Sequence, residues 1–332
     1  MTKISIDIMG SDKGPKELSK ACIDFLKLHD DVYYIISGDE NTIKELFKDV
    51  DPSRYEIIPT DKIIPMEVKP LEFLRAKTSS MYQAINAVKE GRAQGVISSG
   101  STGGFITGCS MLLRNIPGVP RAGLASPFPT AVKGRPMVAL DIGANNVNTA
   151  EDLYGFARMG RIYAQDVLNM GEVSTYVLSN GAEEGKGTDE VVGAYKLLKE
   201  RNFPGFKGNC EARYALDGKH DLIVTSGFVG NVFLKAIEGT GSLIGKLIKD
   251  VFKGFWAKLG YLFVRKGMKN LKSTMNYKSY GGGILLGVNG VGVKSHGNAD
   301  AYAFFNGLDL VYKTINTDIV KKIKEEFAKD NA

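Results

Sequence analysis

Short apolar runs alternate along the chain with longer segments in which apolar residues recur at helical spacing. Two late runs, Gly281–Gly287 and Gly290–Lys294, predict short strands before a closing helix from Ala299 to about Tyr312. The earlier runs predict strands at Lys3–Ile8, Tyr33–Ser37, Tyr55–Pro59, Gly95–Ser99, Met137–Asp141, Val173–Leu178 and Leu222–Thr225. The alternation predicts an α/β fold with a predominantly parallel sheet and flanking helices. We expect one α/β unit over residues 1–332, or two interwoven subdomains, because no linker divides the chain.

Several predicted strands end in a polar residue and glycine, at Asp7–Gly10, Ser98–Gly100, Asp141–Gly143, Asn180–Gly181 and Ser226–Gly227. Ligands bind beyond the carboxyl ends of strands in open α/β sheets, so we expect these ends to converge on one crevice.

At residues 98–104 a predicted strand runs directly into the helical pattern Phe105–Arg114. The unpaired N–H groups at such a helix start suit a phosphate. Alternatively, Ser101 and Thr102 serve only as helix caps.

A charged, glycine-rich turn, Asn180–Gly187, joins a predicted strand to the helical pattern Asp189–Leu198. Its Gly185-Lys186 pair comes close to a nucleotide-binding loop, but the spacer after Gly181 has three residues rather than four, and Gly187 replaces the magnesium-binding hydroxyl. The turn therefore predicts an anion site that is not an ATP site.

Composition indicates an ordinary globular protein, with 332 residues, 43% hydrophobic content and 24% charge. The three cysteines are far apart, which favours a reduced, cytoplasmic protein. The first residues enter a strand pattern without a signal core, and no run approaches the roughly 18 apolar residues of a spanning helix. We therefore expect neither secretion nor a membrane span.

Positive charge is concentrated between Gly241 and Tyr280, where nine Lys and Arg residues face Asp250 alone, a local balance of +8 in a chain of net charge +6. A nucleic-acid binder would be more uniformly basic, so we expect no nucleic-acid partner and instead one acidic partner or surface.

Residues 240–276 predict a basic, amphipathic helical segment that protrudes from the α/β unit, because apolar residues from Leu243 to Leu259 recur at helical spacing. One interpretation is a helix packed on the core with a solvated lysine face. The other is a surface for anionic lipid or an acidic protein, with five contact residues. These are Lys246, Lys249, Lys253, Phe255 and Trp256.

Seven short motifs, in order along nearly the whole chain, resemble the bacterial phosphate acyltransferase (PlsX) family. They are residues 6–12 (IDIMGSD), 100–103 (GSTG), 140–145 (LDIGAN), 183–187 (EEGKG), 226–231 (SGFVGN), 280–282 (YGG) and 294–297 (KSHG). The resemblance implies acyl transfer from acyl-[acyl carrier protein] to inorganic phosphate, giving an acyl phosphate for a downstream glycerol-3-phosphate acyltransferase in phospholipid synthesis. It also implies a homodimer with a fold similar to isocitrate and isopropylmalate dehydrogenases, without a metal or other cofactor. Such a protein would be cytoplasmic, or peripheral at the inner face of the membrane.

Phosphate is itself the nucleophile in this reaction, so the protein must orient it and stabilise the oxyanion. We expect Lys186 and the amides of Gly100–Gly103 to hold phosphate, Asn145 or Asn231 to donate to the oxyanion, and His296 to protonate the departing thiolate. Glu183 and Glu184 either contact the pocket or only favour a helix start. The remaining residues expected to line the site are Asp7, Gly10, Ser101, Thr102, Asp141, Glu184, Gly185, Gly187 and Gly227.

Four positions depart from the family pattern. Lys13 stands where His is usual, Ser101 where Asn is usual, Ala182 where Thr is usual and Thr188 where Asn is usual. Ala182 lacks the hydroxyl of the usual Thr, and we expect this difference to affect catalytic efficiency and acyl preference.

Three other functions stay open. A short-chain acyl-CoA:phosphate acyltransferase needs the same phosphate site without a carrier-protein surface. A dehydrogenase would need the missing G-x-G-x-x-G or a metal-binding aspartate cluster. A non-enzymatic lipid-surface scaffold would need the basic helix but not the glycine-rich turns.

Overall fold

Eleven strands form one continuous sheet in the computed structural model, which describes residues 1–274 and 277–331. Their order in space is β3-β2-β1-β4-β11-β10-β5-β6-β9-β7-β8. Along the chain they are β1 (Thr2–Asp7), β2 (Val32–Gly38), β3 (Tyr55–Pro59), β4 (Gly95–Ser98), β5 (Gly123–Phe128), β6 (Met137–Leu140), β7 (Thr175–Ser179), β8 (Phe206–Glu211), β9 (Leu222–Val224), β10 (Gly283–Leu286) and β11 (Val291–Lys294).

Seven of the ten strand pairs among the described residues are parallel. The three antiparallel pairs lie together in the middle of the sheet, where β10 pairs with β11 and β5, and β5 pairs with β6. The predicted α/β fold with a predominantly parallel sheet is therefore confirmed.

Helices cover both faces of the sheet, as the expected layered arrangement requires. One face is covered chiefly by α1, α2, α6, α7, α10 and α11, and the other by α3, α4, α5 and the first turns of α8. The helices are α1 (Pro15–Leu26), α2 (Glu40–Leu46), α3 (Pro70–Arg75), α4 (Ser80–Lys89), α5 (Thr102–Gly108), α6 (Ala150–Ile162), α7 (Asp189–Glu200), α8 (Gly227–Val251), α9 (Phe255–Thr274), α10 (Ala301–Asn316) and α11 (Ile319–Ala328).

Strand alternation decides which side chains reach each face. In β1, Ile4 and Ile6 join the core under α1 and α10, whereas Ser5 and Asp7 point to the opposite face. All four residues are fully buried, so the polar pair needs partners within the protein. Because its polar side chains need such partners, the polar end of β1 belongs to the candidate site.

Two strands, β5 and β8, were not predicted from the sequence. Strand β5 contains Gly123 and Pro127, which are both unfavourable inside strands, and it is nevertheless buried between β10 and β6. Strand β8 lies at the edge of the sheet and reads Phe-Lys-Gly-Asn-Cys-Glu, without a clear apolar alternation. Tertiary pairing overrides local preference in both strands.

The predicted amphipathic segment is two helices rather than one, because α8 ends at Val251 and α9 begins at Phe255, with Gly254 between them. Apolar side chains on both helices are exposed in the single chain, including Leu247 at 54%, Phe255 at 72% and Trp256 at 80%. Packing of this face on the chain's own core, one of the two interpretations, is therefore wrong. Residues 275 and 276, at the end of the predicted segment, lie outside the described residues. Over the described chain, no helix is long and apolar enough to span a membrane.

Candidate active site

The polar strand ends do not converge on one edge of the sheet, contrary to expectation. The antiparallel centre reverses the chain direction, so β1, β4 and β11 point their carboxyl ends to one edge, while β6, β7 and β9 point theirs to the other. The candidate residues therefore form two groups. We call Asp7, Ser98, Lys294 and His296 the lysine cluster, and Asp141, Asn145, Asn148 and Asn231 the asparagine cluster.

The lysine cluster is built on the last residues of three adjacent strands. Asp7, Ser98 and Lys294 are cross-strand neighbours in β1, β4 and β11, so their side chains lie on one face. All three are buried. The Ser98 hydroxyl donates to Asp7 Oδ2 at 2.7 Å, and the Met9 N–H donates to Asp7 Oδ1 at 3.1 Å.

Lys294 is the buried cation of this cluster. Its ammonium donates to the carbonyl of Ser295, and it forms no ion pair with any carboxylate of the described residues. Burial lowers the pKa of Lys294 from its usual 10.5 to about 8, against the opposing influence of Asp7 and Asp12 and with a further lowering by Lys235. Burial also raises the pKa of Asp7, while its hydrogen bond from Ser98 opposes that rise.

His296 is half-buried beside the same group. Burial lowers the pKa of its imidazole below the usual 6.5; Lys294, Lys235 and Lys278 lower it further, and Glu238 opposes the shift. The ring is therefore neutral at pH 7. A neutral imidazole can accept a proton or donate a hydrogen bond, but it is a weak proton donor to a thiolate.

The glycine turns beside the lysine cluster pack against each other. A Cβ on Gly10 would lie 2.8 Å from Gly100 Cα and 3.2 Å from Asp7 Oδ2, so only glycine lets the two turns approach this closely. Thr102 and Gly103 follow at the exposed first turn of α5. Ser101 has a structural role, because its hydroxyl accepts from the Gly104 N–H at 3.1 Å and donates its one proton to the Met66 carbonyl at 2.7 Å. Ser101 therefore caps α5 in this arrangement, and its expected contact with phosphate stays a prediction.

Asp141 organises the asparagine cluster at the opposite edge. Its buried carboxylate accepts from four backbone N–H groups and from the Asn145 side chain, at 2.8 to 3.0 Å. Burial raises the pKa of Asp141, and these hydrogen bonds counter that shift. The donating backbone groups belong to Leu124, Gly143, Ala144 and Asn145. Asp141 therefore holds a loop rather than a ligand.

Of the two asparagines proposed as oxyanion donors, only Asn231 has an available amide. Asn145 Nδ2 already donates to the Ala122 carbonyl and to Asp141, both at 2.8 Å. Asn231 is exposed on α8 and packs against Gly143, where a Cβ would meet Asn231 Nδ2 at 2.7 Å. The backbone N–H of Gly227 donates to Asn148 at 3.0 Å, so Gly227 provides close packing rather than a free donor.

Helix α8 connects the two clusters across the sheet. Its first turns line a cleft of about 480 Å³ that contains Gly143, Gly227, Asn231 and Lys235 among its walls. Lys235 lies two turns beyond Gly227 and is close enough to lower the pKa of both Lys294 and His296. Among the described residues, the wall of the cleft therefore includes Asn231 of the asparagine cluster and the cation Lys235, but no residue of the lysine cluster.

The turn around Lys186 lies on the edge that carries the asparagine cluster, and it is exposed. Strand β7 is six positions from β4 in the sheet, roughly 29 Å at about 4.8 Å per strand, so Lys186 and Gly100–Gly103 cannot hold one phosphate within a single chain. Glu184 pairs with Lys199 at 2.7 Å on the surface. Gly185 is open to solvent, and Gly187 adopts φ 116°, a turn conformation that favours glycine.

Sequence reasoning did not single out Lys294 or Lys235, and it gave Ser98 only as a polar strand end. Lys294 belongs to the KSHG motif that also contains His296. The signal that could have identified it is a lysine at the end of an apolar strand, because lysines are rarely buried. Nothing in the sequence places Lys235 beside it, because that approach depends on how α8 crosses the sheet. Among the described residues, no group of three or more His, Cys, Asp or Glu side chains is arranged to hold a metal ion.

Solved structures place this fold among phosphotransacylases and related dehydrogenases. A phosphotransacetylase from Streptococcus pyogenes superposes with a TM-score of 0.62 at 16% identity, covering 94% of each chain. An isocitrate dehydrogenase from Methylococcus capsulatus gives 0.50 at 10% identity, covering 98% of this chain and 89% of that one. The expected dehydrogenase-like fold is confirmed.

Sequence relatives identify the family. A family described as "Fatty acid synthesis protein" matches residues 2–322. The phosphate acyltransferase of Halothermothrix orenii is 40% identical over 99% of both chains, and that of Malacoplasma penetrans is 38% identical over 98% of both. The chain belongs to this family, the phosphate acyltransferases.

Proposed function

We propose that this protein transfers a fatty acyl group from acyl-[acyl carrier protein] to inorganic phosphate, and that the acyl phosphate feeds a glycerol-3-phosphate acyltransferase in phospholipid synthesis. The observation that carries the proposal is the cleft along α8, whose wall contains the cation Lys235 and the available amide of Asn231 in a chain of the phosphate acyltransferase family. Phosphate and an acyl thioester need these two features in one place.

Phosphate is the nucleophile, so the chain need not supply one. The three cysteines are all buried, and burial raises the pKa of each thiol, which keeps them unreactive. The lysines around His296 favour an anion at the lysine cluster. The Gly100 N–H already donates to Ser98 Oγ at 3.0 Å, so the backbone N–H groups we propose for phosphate are those of Thr102 and Gly103 in the exposed first turn of α5. Asn231 then donates to the oxyanion that forms at the thioester carbonyl.

A product assay tests the reaction. The protein is incubated with phosphate and either palmitoyl-carrier protein or acetyl-CoA, and acyl phosphate is trapped with hydroxylamine. We expect phosphate-dependent product from palmitoyl-carrier protein. Product from acetyl-CoA alone would support the short-chain alternative, and no product from either donor would contradict both.

The catalytic role of Lys186 stays a hypothesis, now for a residue on the opposite edge of the sheet from Gly100–Gly103. It lies on the same edge of the sheet as the asparagine cluster, so we propose that it acts on the acyl donor's side of the cleft and that Lys186→Ala lowers turnover. Lys196→Ala, in the following helix α7, is the matched control. Normal phosphate-dependent turnover of the Lys186 variant would remove Lys186 from catalysis.

We further propose that the protein is a cytoplasmic homodimer and that α8 and α9 contact an anionic membrane or the carrier protein. Exposed apolar residues such as Phe255 and Trp256, next to Lys246, Lys249 and Lys253, support an interfacial role. Liposome co-sedimentation with and without anionic lipid tests the membrane contact, and no binding to either vesicle excludes it. Sedimentation velocity tests the dimer.

A further inference from the structure

The first turns of helix α8 present apolar side chains on two faces, and packing explains only one of them. Phe233, Leu234 and Ile237 pack against the core on that face of the sheet. Helical periodicity places Phe228 and Val232 on the other side of the helix, where they keep 62% and 55% of their surface exposed. A helix packed on one side needs a single apolar stripe with polar residues opposite. The second apolar row therefore serves something other than the fold.

This second row forms part of the wall of the cleft. Phe228, Val232 and Ala236 recur every four residues and all line it, and Asn231 and Lys235 form a polar row beside them. Positions four apart are neighbours on a helix surface, so the two rows run side by side along the axis of α8. A largely apolar wall with a few polar groups is the usual lining of a small-molecule site. The cleft thus offers one polar edge and one apolar edge to the same ligand.

The two ends of the apolar row differ. At the Phe228 end the helix packs tightly on the asparagine cluster, because Gly227 lies so close to the Asn145 carbonyl that even a Cβ would not fit. At the other end Ala236 is small and exposed, and the exposed part of α8 follows it. A chain that starts beside Asn231 therefore has an open path past Ala236.

We propose that the acyl chain of the donor lies along Val232 and Ala236, and that Ala236 leaves room for chains longer than about six carbons. The inference rests on the proposed acyl transfer to phosphate, with the thioester carbonyl at Asn231. Ala236 lies about 7.5 Å beyond Asn231 along the helix axis, at about 1.5 Å per residue. An extended hydrocarbon advances about 1.3 Å per carbon, because its C–C bonds of about 1.5 Å form a zigzag. The sixth carbon is therefore level with Ala236.

The row should make the activity of the unchanged protein depend on chain length. Full burial of one methylene corresponds to about fourfold in an equilibrium constant, and the cleft covers the chain on one side. We therefore expect kcat/KM to rise about twofold to fourfold per methylene from acetyl- to hexanoyl-carrier protein. Trapping of acyl phosphate with hydroxylamine measures the rates, and this comparison needs no variant to fold.

Two substitutions separate the near and far parts of the row, each tested on butyryl- and palmitoyl-carrier protein. Ala236→Phe fills the open end, so only the longer chain meets the new ring. We expect the ratio of kcat/KM for palmitoyl to that for butyryl to fall about 10- to 100-fold, as when a group is forced into filled space. Val232→Thr puts a hydroxyl beside the first methylenes of both chains. It should lower kcat/KM for both donors by a similar factor, about threefold to tenfold, and leave their ratio in place.

A matched control makes the same change of side chain away from the cleft. Ala328 is exposed at the end of α11, which packs on the opposite face of the sheet from the first turns of α8. Ala328→Phe should therefore leave the turnover of both donors and their ratio unchanged.

Two results would overturn the inference. One is an unchanged palmitoyl-to-butyryl ratio in Ala236→Phe; equal losses on both donors would instead assign position 236 to the carrier's arm or to a contact between two copies of this chain. The other is a kcat/KM of the unchanged protein that does not rise with chain length. If the unchanged protein gives no acyl phosphate from any donor, the proposed acyl transfer itself is wrong and the inference falls with it.

Discussion

Asp7 and Asp141 both follow apolar runs, end strands, and are buried with raised pKa values, yet their surroundings differ. Asp141 accepts five hydrogen bonds from one loop and the neighbouring strand, with no described cation beside it. Asp7 accepts from Met9 and Ser98 and faces the unpaired ammonium of Lys294. A carboxylate saturated by backbone donors fixes a loop, whereas Asp7, which accepts fewer hydrogen bonds, also stabilises the buried charge of Lys294.

The largest expected effect is on folding. Asp141→Ala leaves the N–H groups of Leu124, Gly143, Ala144 and Asn145 without their acceptor. At about 1–3 kcal/mol for each group that stays buried and unsatisfied, we expect the free energy of unfolding to fall by roughly 4 kcal/mol or more. Urea denaturation measures the loss. Thr149→Ala, which removes the cap of α6, is the control and should cost about 1 kcal/mol; equal losses in both variants would contradict a scaffolding role for Asp141.

Asn231 should affect the reaction rather than the fold. Because its amide makes no hydrogen bond within the described chain, Asn231→Ala should lower kcat about 10²–10³-fold, the usual effect of losing one oxyanion donor. Stability should stay within about 0.5 kcal/mol, as for most exposed positions. Steady-state kinetics with palmitoyl-carrier protein provide the measurement. A change confined to KM for the acyl donor would instead assign Asn231 to ground-state binding.

The buried charge of Lys294 should make the free energy of unfolding depend on pH. The pKa is 10.5 when unfolded and about 8 when folded, so the unfolded chain binds more protons between these values. Stability of the unchanged protein should rise by up to about 3 kcal/mol across that window, because each pKa unit corresponds to about 1.4 kcal/mol.

Lys294→Met should lack this rise and be the more stable protein at pH 7. Asp7 and Asp12 stabilise the charge and Lys235 opposes it, so these three groups set the size of the difference. Denaturation at pH 7 and near pH 10 measures it for both proteins. Parallel curves for the two would show that the ammonium is not buried in solution.

The smallest expected effect separates capping from phosphate binding at Ser101. Ser101→Ala removes the bonds to Gly104 and Met66, so we expect about 1 kcal/mol less stability and an unchanged KM for phosphate. A raised KM with unchanged stability would instead support the predicted contact of Ser101 with phosphate.

Much of the fold was predictable because strand and helix periods are local properties. The runs at Lys3–Ile8 and Tyr55–Pro59 became β1 and β3, and the closing helix was found within a few residues. Strand β5 was not predicted because it contains Gly123 and Pro127, two residue types that are unfavourable inside strands, although it pairs on both sides. Of the expected site residues, Asp7 and His296 lie together in the lysine cluster and Asn231 lies in the asparagine cluster, and their roles stay predictions, whereas the expected convergence of all strand ends is wrong.

The sequence by itself determined the layered α/β fold, the family and the polar strand ends, because all three depend on residue type and order. Only the tertiary structure decided which ends meet. The antiparallel strands β5 and β10 reverse the sheet's direction and separate Lys186 from Gly100–Gly103. The path of α8 then brings Lys235 close enough to lower the pKa of Lys294. Strand direction and helix path follow from pairing between distant segments, so no local pattern records them.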